Sequence, residues 1–104
     1  MIRKKKFDGV IEAVRYTPDG QIDQVRAYER SGFVFSDWLM LDRDALIEQL
    51  KDGKRWYIGH RKTYLGNDFE ISEEVRLEGA AGVEKVVAGE TDGKQDHLQT
   101  TPTF

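Results

Sequence analysis

No cysteine occurs among the 104 residues. That excludes disulfides, thiolate nucleophiles and cysteine-ligated zinc. Histidine is almost as scarce: His60 and His97 lie far apart in the chain, with no His-x-x-x-His pair and no EF-hand loop. Metal sites need such groups converging from defined elements, so no metal is expected. Phosphate-binding and dinucleotide-binding glycine fingerprints are missing too, since "GAAG" at 79–82 lacks the spacing and the following helix. No cofactor is therefore expected. Ser31, Ser36 and Ser72 sit in turn-like settings without a strand–elbow–helix pattern, and no catalytic residue is assigned.

Long apolar runs are also missing. A bilayer-spanning helix needs about 20 predominantly apolar residues, and no segment approaches that. The basic start "MIRKKKFDGVIEAV" is interrupted by Asp8, Gly9 and Glu12 before any signal-type apolar stretch can form. The expectation is a soluble cytoplasmic protein with no membrane partner.

What is present is unevenly spread. Hydrophobic residues make up 38% and charged residues 34%, and ten of the eleven aromatic residues precede position 80. Residues 1–64 carry 13 Lys/Arg against 10 Asp/Glu, whereas residues 65–104 carry 3 against 9. A mildly basic body thus precedes an acidic C-terminal third. The reading is a single small domain over 1–79 and a flexible acidic tail over 80–104, whose last seven residues include five of Gln, Thr or Pro. Within it, "VEKVV" reads as one further edge strand. The tail folding loosely over the basic strand is a second reading of the same charge split.

Local signals place the elements. In "YTPDGQI" (16–22), Pro18 and Asp19 suit the central positions of a type I turn and Gly20 the left-handed residue after it, which makes a β-hairpin with a glycine bulge. "FVFSDWLML" (33–41) is apolar on both alternating faces, as one covered strand or two short strands broken at Ser36-Asp37. Asp42 or Asp44 caps a helix whose Leu46, Ile47 and Leu50 share one face, with Gly53 as its stop. A strand over 54–61 follows, then "FEISEEVRLEG" with a turn at Ser72–Glu74. The expected fold is α+β, with a mostly antiparallel sheet, curled or a small open barrel, in the order β-β-β-α-β-β with one short helix.

Two surfaces are candidates for function. The apolar run "FVFSDWLM" exceeds what one side of a small sheet needs and reads first as central core; otherwise Phe35, Trp38 and Met40 form an exposed apolar patch, which marks a protein partner or a second copy of the chain. The leading expectation is accordingly a non-catalytic module for protein interaction or self-association. "KRWYIGHRK" (54–62) supplies the runner-up: with Trp56 and Ile58 in the core, Arg55, Tyr57, Arg61 and Lys62 form a basic-aromatic face for single-stranded nucleic acid. The acidic balance of the chain weighs against that. A small enzyme using His60, Asp42 and Asp44 ranks third.

Overall fold

The computed structural model describes residues 7–31, 34–35, 39–61, 69–80, 82–89, 95–98 and 101–104. They form an open sheet of seven strands with one helix. The elements are β1 (Gly9–Tyr16), β2 (Ile22–Ser31), β3 (Val34–Phe35), β4 (Leu39–Asp42), α1 (Arg43–Lys51), β5 (Trp56–Arg61), β6 (Phe69–Glu78) and β7 (Lys85–Ala88). The spatial order is β3-β2-β1-β5-β6-β7, with β4 also pairing β2. Among these elements no helix is long and apolar enough to cross a membrane.

The hairpin follows from its turn chemistry. The Gly20 N–H donates to the Thr17 carbonyl at 3.0 Å across Pro18-Asp19, and Gly20 takes φ +83°. Asp42, not Asp44, caps α1, its side chain accepting the Ala45 N–H at 2.8 Å. Leu46 of α1 is buried against the sheet, with Ile47 and Leu50 packed beside it.

Three expectations need correction. The sheet is mixed, because β1 and β5 pair in parallel through Gly9–Trp56, Val10–Tyr57 and Ile11–Ile58. Residues 69–78 form one strand: where a turn was expected, Ser72–Glu73 make a bulge opposite Ile58. Part of the tail expected to be flexible from position 80 is built into the fold. Val86, Val87, Ala88, Asp96 and Leu98 are all buried, and His97 bridges Val87 along the outer edge of β7.

Asp96 is the reason that segment can be core. Its carboxylate accepts the backbone N–H of Ile22 (2.7 Å) and Val86 (2.9 Å), and the Arg43 Nε and Nη2 (2.7 and 3.2 Å). Burial pushes this carboxyl upward, but Arg43 and the two backbone donors outweigh it and hold the group below the usual aspartate range. One side chain thereby ties the hairpin, α1 and β7 to the C-terminal segment. The acidic third does pair with the basic body, at α1 through Asp96–Arg43 and Glu84–Lys51.

Trp56 anchors the main core, fully buried with Leu46, Ile11, Val25, Val75 and Leu98. Gly9 is its necessary neighbour, since any Cβ there would collide with the indole ring. A thinner cluster on the other face joins Val10 and Tyr28 with Phe7 and Ile71.

Candidate functional site

A bulge in β1 creates the most distinctive local geometry. Glu12 is the extra residue between the Ile11–Ala27 and Ala13–Arg26 pairs. Beyond it β1 leaves β5, and its edge is taken by the C-terminal segment instead. The Val14 N–H donates to the Pro102 carbonyl at 2.8 Å and the Phe104 N–H to the Val14 carbonyl at 3.1 Å. Two parallel strands thus part at their carboxyl ends, the kind of place where open sheets form crevices.

The crevice is a cleft of about 260 Å³. Ile11, Ile58 and Pro102 supply apolar wall, and Glu12, His60 and Thr101 supply polar groups. Ser72 lies at the bulge of β6, its hydroxyl donating to the Ile58 carbonyl at 3.3 Å. Gly59 completes the wall because β6 passes so close that a Cβ would meet the Glu70 carbonyl oxygen. Bulges on both flanking strands re-aim side chains toward one opening. Glu12 is held by Arg26 at 3.2 Å and by the Tyr28 hydroxyl at 3.2 Å. His60, largely exposed, faces Glu70 at 3.6 Å.

Next to this cleft lies an exposed patch. Met40 stands opposite Arg26 in the β2–β4 ladder, so both side chains share one sheet face. The Arg26 guanidinium lies 5.8 Å from the Phe104 ring centre, and that of Arg15 lies 5.4 Å from it. Met40 is 38% exposed and Phe104 42%. Arg15 is also bound to Asp23 and Gln24, each at 3.0 Å.

A second cavity of about 300 Å³ lies between the hairpin turn and the C-terminal segment, lined by Tyr16, Gly20, Gln95, His97, Thr101 and Thr103 beside Asp96. His97 Nδ1 and Thr101 Oγ1 are buried without a hydrogen-bond partner among the described residues. A buried polar atom left unpaired costs about 1–3 kcal/mol.

The residues singled out from sequence are placed as follows. Met40 is exposed, as a partner surface needs; Phe35 lies in β3, and its side chain, like all of Trp38, falls outside the described residues. Of the basic-aromatic face, Arg55 is exposed and paired with Glu74 at 3.3 Å. Tyr57 is a correction: it is 1% exposed, with Phe7 edge-on at 6.0 Å, so it offers no ring face to a base. Both faces of β5 are covered over Trp56, Tyr57 and Ile58, which alternation of one apolar and one polar face did not anticipate. The Arg61 side chain and all of Lys62 lie outside the described residues. For the enzyme reading, Asp42 is engaged as the helix cap and lines neither cavity, nor does Asp44, whereas His60 lines the cleft.

Glu12, Thr101, Pro102, Phe104, Arg15 and Arg26 escaped the sequence reading. Phe104 alone carried a signal, as the single aromatic residue after position 80. Among the described residues no group of three or more His, Cys, Asp or Glu side chains could hold a metal ion. No protein-family model, no curated protein and no solved structure matches the chain.

Proposed function

We propose that this protein is a cytoplasmic protein-interaction module that receives an extended segment of a partner chain across the face bearing Met40 and Phe104. The observation that carries the reading is the union of two exposed apolar side chains on one cation, Arg26, with a cleft entered past Glu12. Exposed apolar anchors rimmed by charge are the usual composition of a recognition surface. The cleft is small for a free ligand, since ligand sites run to about 300–1,000 Å³. It suits one side chain. Ile11, Ile58 and Pro102 would cover an aliphatic stem, and Glu12 would meet a cationic head, so the partner segment carries a Lys or Arg beside an apolar residue.

Selection of displayed random peptides against the whole chain tests this. Enriched peptides should pair a basic with an apolar residue, bind with a dissociation constant of about micromolar order, and weaken at least about tenfold against the Met40→Ser, Phe104→Ser variant. Failure to enrich, or peptides indifferent to that variant, contradicts the reading. Concentration-dependent dimerisation lost in the same variant would make the partner a second copy. Binding of a single-stranded oligonucleotide that falls steeply with salt would instead move function to 54–61.

A further inference from the structure

The cleft where β1 and β5 part is walled by three neighbouring strands, and each contributes an accessible acceptor. Glu12 comes from β1, His60 from β5 and Ser72 from β6. The Glu12 side chain is 25% exposed and that of His60 62%. Ser72 is exposed as well. Glu12 is fixed before any partner arrives, because Arg26 holds one carboxylate oxygen and the Tyr28 hydroxyl donates to the other, each at 3.2 Å. A carboxylate offers about four lone-pair sites, so acceptor capacity is left on it. Ser72 gives its proton to the Ile58 carbonyl at 3.3 Å, which makes its oxygen an acceptor toward anything else. A neutral imidazole adds one acceptor nitrogen at His60. Glu70, 3.6 Å from His60, stands as a second carboxylate beside the cleft.

Lysine and arginine answer this arrangement differently. An ammonium radiates three donors from one compact point, whereas a guanidinium carries its donors in a flat fork suited to two parallel bonds with one carboxylate. Acceptors on three strands around one opening fit the radiating head. At Glu12 a fork would also have to lie beside the guanidinium of Arg26, which already holds the same carboxylate. The apolar walls of Ile11, Ile58 and Pro102 suit the four-carbon stem of lysine.

We propose, resting on the partner-segment reading above, that the β1/β5 cleft selects an unmodified lysine of the partner over an arginine, through Glu12, His60 and Ser72. Acylation of that lysine removes its charge and two of its three donors, so the modified segment is released. Recognition at this cleft is thereby open to control on the partner's side.

The test is an amide NMR titration of the full chain, at fixed ionic strength, with three side-chain analogues. These are n-butylammonium for lysine, n-propylguanidinium for arginine and N-butylacetamide for acetyl-lysine. Saturable shifts at Glu12, Gly59, His60 and Ser72 are expected with n-butylammonium at a dissociation constant of about 10 mM. Binding should be at least about fivefold weaker with n-propylguanidinium and absent with N-butylacetamide. Glu12→Gln should weaken the n-butylammonium response about tenfold and Ser72→Ala about threefold. The selectivity of the unaltered chain among the three probes decides even where a variant fails to fold. Equal or tighter binding of n-propylguanidinium, an equal response to N-butylacetamide, or no saturable shift with n-butylammonium overturns the proposal. Preferred n-butylammonium binding without any peptide that depends on Met40 and Phe104 supports the lysine cleft and removes the proposed recognition face. Peptides that depend on Met40 and Phe104, with no preference for n-butylammonium, do the reverse.

Discussion

On the face of the sheet that carries α1, Trp56, Leu46 and Leu98 pack away from water, and the buried charge of Asp96 is matched by four N–H donors. Among the described residues, the opposite face has the thinner cluster of Val10 and Tyr28 with Phe7 and Ile71, the buried Tyr57 beside Phe7, then ion pairs and the exposed Met40 and Phe104. Burial and charge matching concentrate stability on the first face. That leaves the second free to be shaped by what it touches, because exposed substitutions there cost little. A small domain with one modest core can afford exposed apolar residues only where the fold does not depend on them.

The sharpest way to break this contrast is at Asp96. Asp96→Ala leaves Arg43 partly buried without its partner and strands the N–H groups of Ile22 and Val86. A loss of about 3–5 kcal/mol is expected in urea unfolding. If the loss stays below about 1 kcal/mol, the typical worth of an exposed pair, the carboxylate is not the tie described here.

The same group sets a pH dependence. Its folded pKa lies below the unfolded one, so its contribution is complete above the ordinary aspartate value, about 3.9, and is lost as pH falls through the folded value. In acid titrations followed by urea melts, Asp96→Asn should therefore flatten part of the wild-type decline. An unchanged acid limb would place that decline on other carboxylates. A smaller effect belongs to the helix cap, where Asp42→Ala should cost about 1 kcal/mol by the same melts, and Asp44→Ala clearly less.

The sequence disclosed whatever rested on local chemistry. Pro18-Asp19-Gly20 marks its own hairpin, Asp42 with Leu46, Ile47 and Leu50 its own helix, and Trp56 its own core position. What stayed hidden depended on contacts distant in sequence. The parallel β1–β5 pairing joins residues 9–11 to 56–58 across an intervening hairpin and helix, and neither strand announces its direction. Tyr57 reads as outward-facing until Phe7 is known to cover it. The C-terminal third was misread because its Gly, Thr and charge content outweighed a short apolar signal. Val86, Val87 and Leu98 are buried in a segment that Asp96 ties to Arg43, 53 residues away. Of the proposed recognition face, Met40 was legible as an apolar residue in excess. The cleft was not, since it arises from bulges at Glu12 and at Ser72–Glu73 that alternation patterns do not register.

The division between the two faces is tested most directly by paired thermal and urea melts of Leu98→Ala and of the Met40→Ser, Phe104→Ser variant. The account predicts a loss of about 2–5 kcal/mol for Leu98→Ala, a buried leucine in the main core, and of no more than about 1 kcal/mol for the double surface variant. If the surface variant loses as much as Leu98→Ala, Met40 and Phe104 hold the fold together and the proposed recognition face is a structural one.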